Sequence, residues 1–338
     1  MKRFLITSVV LLATISLVFA IFQMPMWPSL QLTAQGAFGD RFGITRTLVK
    51  TIPLLTAGLG MVIAWRAGAY NIGGEGQFII GSVAGAWMAK TMMSLGSVGA
   101  AASYAVLAVC VLGGAMYAAL AGWISFRRGL SPVIVTILLN FVASQVLDYA
   151  VRGPLQEDTH AVPLTQTLPQ SMMLARFDPQ LDLHSGIYIT IAAMLAAQVF
   201  LFRTRKGFQI RLVGASPQAA RSAGLNEVRL KLLAMALSGG LCGLAGGLEY
   251  LGLAGQIGVS SSQNWGFLAI PVAVLGGLTP LGCGLSALFF GSLFAGSQQL
   301  ARFSNSGSTL IYVMQGLAVL AFVMIEARNK RLEPAGEV

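Results

Sequence analysis

The sequence predicts an all-α, polytopic transmembrane helix bundle of about ten spans, and three observations carry that expectation. Hydrophobic residues make up 55% and charged residues 10% of the 338 positions, with a mean hydropathy of +0.73. Apolar runs close to the length that crosses a bilayer recur from one end to the other. Basic residues gather on one side of those runs. The longest polar stretch, residues 152–185, contains Pro154, Pro163, Pro169 and Pro179 and reads as a loop. A single transmembrane domain over residues 1–338 is therefore expected, with no room for a soluble one.

Hydropathy places the spans at residues 4–22, 48–65, 77–93, 98–123, 132–151, 187–202, 230–251, 265–278, 281–300 and 310–325. The eighth is short, and Gly276, Gly277 and Pro280 break it, so it reads as a half-helix or re-entrant turn. The first exceeds a usual signal-peptide core and lacks a clean cleavage site, so it is read as a span. With the N-terminus inside, 15 of the 22 basic residues fall on the cytoplasmic side, including Lys2, Arg66, Arg127, Arg128 and the cluster in residues 203–231. The outer 152–185 loop carries Glu157, Asp158, Asp178 and Asp182. That bias predicts cytoplasmic termini and accounts for the formal charge of +10 without nucleic acid as a partner.

The stretch Arg66-Ala-Gly-Ala-Tyr-Asn-Ile-Gly-Gly-Glu-Gly-Gln-Phe78 is the most informative in the chain. It sets a carboxylate, two amides and four glycines between two apolar runs, where polar groups are costly. Two readings stand side by side. In one, the glycines let the chain turn and Glu75 caps the N-terminus of the next helix. In the other, Asn71, Gly74, Glu75 and Gln77, with Asn140, line the inner end of a translocation pathway and gate it with the broken segment at Gly276 and Gly277.

Other signals are exclusions. Cys110, Cys242 and Cys283 fall inside predicted helices as small hydrophobes, so no disulfide framework is expected. His160 and His184 lie in the outer loop without cysteine or carboxylate at ligand spacing, which predicts solvated histidines and no metal. Neither His-Glu-x-x-His nor Gly-x-Ser-x-Gly occurs, so no catalytic residues are assigned and an enzyme is not expected. Leu237-Ser-Gly-Gly240 imitates the start of an ATPase signature but sits in an apolar run, where Gly239, Gly243 and Gly247 form a helix-packing stripe. Gly81 with Gly85, and Gly58 with Gly60, are read the same way. Asp148 is the main carboxylate expected to be buried in a span, with Glu249 near an outer end; one lone carboxylate argues against ion coupling.

The inner segment 203–231 reads as a short surface helix, with Ser216 as N-cap, Pro217 at the first position and Gly224 as its stop. Such a helix rests on lipid or docks into a partner protein. Together with residues 66–81, the run Lys206-Gly-Phe-Gln-Ile-Arg-Leu-Val-Gly-Ala-Ser-Pro-Gln-Ala-Ala-Arg-Ser-Ala-Gly224 resembles the permease subunits of bacterial ATP-binding-cassette importers of the branched-chain amino acid and simple-sugar group. Asn71-Ile-Gly-Gly-Glu-Gly-Gln77 is most similar to the nucleoside and purine importers, which usually have alanine at the position of Gly74.

The resemblance covers the chain from about residue 47 onward. It implies an inner-membrane complex of two permeases, identical or paralogous, with two cytosolic ATPases and an extracytoplasmic binding protein. By that resemblance Gly207, Arg211, Gly214, Pro217, Ala220 and Gly224 form a coupling helix seated on the ATPase. The permease itself would hold no cofactor, since the partner subunit uses the ATP. Leu212 and Glu227 depart from the family pattern. A nucleoside is the leading substrate, with a pentose or a branched-chain amino acid as alternatives and a secondary transporter or channel as readings of another class. Helices two to five and seven to ten suggest an inverted repeat, in which the outer 255–266 loop answers the inner one containing Asn71.

Overall fold

Small residues set the architecture, because a membrane-embedded helix pair is held by close packing and gains little from hydrophobic transfer. The computed structural model describes residues 25–178, 180–259, 261–303 and Gly316. The described residues are helical apart from their connections. In chain order the helices are α1 (Met26–Phe38), α2 (Arg41–Arg66), α3 (Gly74–Ser94), α4 (Ala100–Arg128), α5 (Pro132–Arg152), α6 (Gly186–Arg203), α7 (Arg205–Ala215), α8 (Pro217–Ser222), α9 (Glu227–Glu249), α10 (Trp265–Leu275) and α11 (Pro280–Phe303). A 3-10 turn, Gln170–Met172, and a π-turn, Tyr250–Ala254, complete them.

Eight of the ten predicted spans fall on these helices; those at residues 4–22 and, apart from Gly316, 310–325 lie outside the described residues. Among the described residues, six helices are long and apolar enough to cross a membrane: α2, α4, α5, α6, α11 and α9 with its π-turn. The α10 helix is short, as its broken pattern predicts. Two helices have no counterpart among the predicted elements. α1 precedes the second span, and α7 is a separate helix ahead of the one placed at Pro217, so the coupling residues Gly207, Arg211 and Gly214 lie on a helix of their own.

The chain forms two units. The smaller joins α1 and the start of α2, up to Lys50, to α11 from Phe289 onward. Asp40 caps α2 there, accepting from Gly43 N at 2.6 Å, and Thr47 Oγ1 donates to Ala37 O at 3.0 Å.

The larger unit, Thr51–Leu288, has α2 at its centre, with residues 51–64 all buried. Glycines thin this helix on two sides: a Cβ on Gly58 would meet Cys283 Sγ at 2.7 Å, and one on Gly60 would meet Ser238 O at 2.6 Å. The predicted stripe on α9 packs closely on α4. At its crossing with α3 and α4, Gly81, Gly114 and Gly243 meet backbone to backbone beside Cys110.

The 152–185 segment is a lid of loops with isolated β-bridges. It is stitched to the π-turn and the chain after it, through Thr165 N to Ile257 O (2.8 Å), Leu168 N to Gly255 O (2.8 Å) and Leu174 N to Leu251 O (2.9 Å). His184 departs from expectation. It is 1% exposed, not solvated, because its ring fills the space left by Gly252 in the π-turn, and its Nδ1 accepts from Gly186 N at 3.2 Å. Burial first, and Arg176 second, push its pKa down to about 4, partly offset by Asp182. His160 is exposed. Asp148 also departs from expectation: its side chain is 37% exposed and paired with Arg152 at 2.7 Å.

Two measurements test this packing. Gly243→Leu should abolish folded protein, since rigid backbone stands where the side chain must go, whereas Gly99→Ala, with nothing within 4 Å, should be silent in the same thermal-stability assay. For His184, the unfolded chain takes up a proton near pH 6.5 and the folded one only near pH 4. The stability it contributes is complete above pH 6.5 and declines as pH falls across that window, by roughly 3 kcal/mol at most. His184→Asn should flatten the fall in melting temperature between pH 7 and 4.5; an unchanged slope would refute the assignment.

Candidate functional site: a polar junction between two helix starts

The start of a helix leaves backbone N–H groups without partners, and inside a bundle no bulk water satisfies them. Two such starts meet here. Glu75 is the second residue of α3 and Gly266 the second of α10, and a Cβ on Gly266 would fall on the backbone of Gly74 and Glu75. The junction is deep. Gly74 faces Met61, five residues inside the end of α2, and Cys242, fifteen residues along α9, which puts it about 7 Å and 22 Å from the respective helix ends.

Glu75 joins the two. Its Oε2 accepts from Gly266 N at 2.9 Å and its Oε1 accepts from the Ser262 hydroxyl. One 5%-exposed carboxylate thus serves the positive ends of both helices, capping the second across 191 residues of sequence. The helix that follows Glu75 in the chain has no side-chain cap; the hydrogen-bonded cap falls instead on α10, which is remote in the chain.

The amides secure the non-helical residues 67–73. Asn71 and Gln77 form a reciprocal pair, Nδ2 to Oε1 and Nε2 to Oδ1, both 2.9 Å. Asn71 Nδ2 also donates to Ser238 Oγ on α9 at 2.9 Å, and its Oδ1 accepts from Gly73 N at 2.9 Å. Asn140 on α5 accepts from Gly76 N at 2.8 Å and donates to Ile72 O at 3.0 Å, while Thr136 Oγ1 accepts from Ile72 N at 3.1 Å. Asn71, Gly74, Glu75, Gln77 and Asn140 are therefore one cluster. Beside it lies a cavity of about 20 Å³, lined by Ser82, Glu249, Gln256 and Ser262 among others, with room for about one water.

Gly276 and Gly277 stand apart from this cluster. They follow the far end of α10, ten residues and about 15 Å from Gly266. Their partner is Arg66, whose Nε donates to Leu278 O at 2.8 Å and whose guanidinium reaches Gly277 O at 3.3 Å. Gly277 and Leu278 both adopt positive φ, 64° and 51°, a strained state for leucine. Thr279 then starts α11, its Oγ1 accepting from Gly282 N at 3.2 Å.

Arg66 also ties in the 203–231 segment. A Cβ on Gly214 would fall on Arg66 O, and Gly207 lies equally close to Phe200 and Leu201. Arg211 turns toward its own chain, donating to Leu201 O at 3.0 Å with its guanidinium 4.9 Å from the Phe202 ring. The α8 helix is as expected: Pro217 opens it, Ser216 caps it by accepting from Ala219 N at 3.2 Å, and Gly224 has φ +72°. Ala220 is buried, while Gln218, Ala219, Ser222 and Ala223 are exposed. Glu227 bridges Arg221 (2.8 Å) and Lys231 (2.6 Å).

Sequence reasoning missed Ser262, Gly266 and Ser238 as partners. Their signal was faint: the polar 255–266 stretch holds the first two, and Ser238 is a hydroxyl on the small-residue stripe.

Removing the junction's acceptor should loosen α10. Glu75→Leu leaves buried donors unpaired and should lower stability by about 2–3 kcal/mol, with faster proteolysis in residues 255–264; Glu75→Gln, which keeps one acceptor oxygen, should lose less. Equal stability of Glu75→Leu and wild type would exclude the cap.

Residues 43–324 match the family described as branched-chain amino acid transport system, permease component. The glucose ABC transporter permease of Haloferax volcanii is 33% identical over 297 residues, 85% of this chain and 77% of that protein. The guanosine ABC transporter permease of Bacillus subtilis is 28% identical, covering 84% and 82%, and the nucleoside ABC transporter permease of Lactococcus lactis is 27% identical, covering 77% and 74%. No solved structure matches significantly. The chain belongs to the branched-chain amino acid transport system permease family, and is thus an integral membrane transport subunit of an ABC transporter and not an enzyme.

Proposed function

We propose that the chain is one half of the permease pair of an ATP-driven importer for a neutral, hydroxyl-rich solute, with nucleosides first. The observation that carries the importer reading is the seating of the 203–231 segment. α8 presents a short exposed face of Gln218, Ala219, Arg221 and Ser222, and α7 is locked through Gly214 onto the end of α2. A cytosolic ATPase docking on α8 would move Arg66 and, through its bonds to Gly277 and Leu278, the whole of α10. The Glu75 junction at the other end of α10 would then act as the gate.

This reading puts the basic end and both termini in the cytoplasm, with the lid outside, where a binding protein would deliver the solute. The 67–73 and 255–264 segments each enter the bundle and each precede a helix start, which supports an inverted repeat. The second permease would be a copy or a paralogue, and ATP would be used by the partner alone. Glucose, guanosine and nucleosides, the named substrates of the relatives, share a sugar ring with free hydroxyls. A monosaccharide is the second reading, favoured by the 33% identity to a glucose permease.

Uptake of labelled guanosine, adenosine, ribose, glucose and leucine should be compared in cells with and without the gene, beside wild-type or hydrolysis-dead ATPase. Gene- and ATPase-dependent entry of a nucleoside is the expected result. Entry of a sugar or leucine would overturn the substrate, and uptake indifferent to the ATPase would reject the importer in favour of a secondary transporter or channel.

A further inference from the structure

Side chains with unpaired hydrogen-bonding groups avoid lipid, so a spanning helix that exposes them faces something wet. The α4 helix shows the lipid pattern: its exposed stripe is Ala108, Leu112, Met116 and Leu120, with Tyr104 and Trp123 at the two ends. The α6 helix exposes only Tyr188 and aliphatic residues within its span. The α5 helix differs. Thr136, Asn140, Ser144, Asp148 and Arg152 recur every fourth residue along it. The first two are buried in the junction, but Ser144, whose hydroxyl donates to Asn140 O at 3.1 Å, and the neighbouring Gln145 are exposed.

Gln145 lies seven residues, about 10 Å, inside the Arg152 end, and its amide has no partner among the described residues. Asp148 and Arg152 neutralise each other at 2.7 Å, so this face, which also exposes Phe141, Val142 and Val146, carries no net charge. Tyr149, 73% exposed, adds an open aromatic ring. The cavity beside Glu75 is far too small for a sugar or nucleoside, so a solute would meet the bundle elsewhere.

We infer that the half of α5 nearer Arg152 walls a water-filled solute passage, in which Gln145 hydrogen-bonds a neutral, hydroxyl-bearing solute. This rests on the permease reading above and adds the residues that meet the cargo. An uncharged wall of amide, hydroxyl and ring suits a sugar or nucleoside and offers an ion no net attraction.

The three native cysteines are buried in helices, so single introduced cysteines can report water access in the assembled complex. Ser144→Cys, Gln145→Cys, Leu112→Cys, Val199→Cys and the loop control Thr159→Cys would be treated in cells with a charged, membrane-impermeant thiosulfonate. Thiolate forms only where water reaches, so Ser144→Cys and Gln145→Cys should react faster than Leu112→Cys and Val199→Cys by roughly ten-fold or more. Rates at residues 144 and 145 no faster than at 112, with Thr159→Cys reactive, would overturn the passage. Gln145→Leu should lower uptake per folded molecule by roughly ten-fold, the loss of one good hydrogen bond, and Gln145→Asn should restore part of it; unchanged uptake in Gln145→Leu would overturn the solute contact. Because labelling reads water access and not transport, a wrong substrate class would leave its outcome intact.

Discussion

Two helices begin inside this membrane bundle, and the rest of the architecture depends on the carboxylate that ties the start of one to the start of the other. Glu75 receives Gly266 N and the Ser262 hydroxyl while itself sitting in the first turn of α3. Without such a group the α10 start would hold unsatisfied backbone at a depth where it costs several kcal/mol. The amides of Asn71, Gln77 and Asn140 do the same work for the non-helical residues that lead to α3. The lid does so for the chain that leads to α10, through its bonds to residues 251–257. A polar interior at this depth is stable because its members are paired, not because they are few.

Around that junction the packing is made of small residues. The glycines of α2, α3, α4 and α9 bring backbones together where any side chain would clash, so these helices form a body with little freedom to slide. α10 is different. Eleven residues long, it is pinned at one end by Glu75 and at the other by Arg66, and both pins are hydrogen bonds between distant segments. Arg66 touches the 203–231 segment as well, through the close approach of Gly214. The two pins place a short, separately held helix between the segment proposed to meet the ATPase and the polar centre of the bundle.

Much of this was legible in the chain because the signals are local. Apolar runs mark the helices, Gly276, Gly277 and Pro280 mark the end of α10, and Ser216-Pro217 marks α8. The cost of placing Glu75 between apolar runs marks the site itself. What stayed hidden was pairing between remote segments. Nothing near Glu75 points to Ser262 or Gly266, and nothing near His184 announces that Gly252 leaves a space for its ring. The same limit misassigned Gly276 and Gly277 to a group with Glu75: they terminate the helix that Glu75 caps, but at its opposite end. Asp148 was expected inside the bundle because its run is apolar, and the exposed polar edge of α5 became visible only once its neighbours were in place.

The central claim, that one carboxylate joins α3 to α10, is tested most directly by a double-mutant cycle between Glu75→Gln and Ser262→Ala, read as unfolding free energy of the purified protein in lipid nanodiscs. A direct charge-assisted bond predicts a coupling of about 1 kcal/mol or more, the double variant losing less than the sum of the singles. Single effects that add to within about 0.3–0.5 kcal/mol would contradict it.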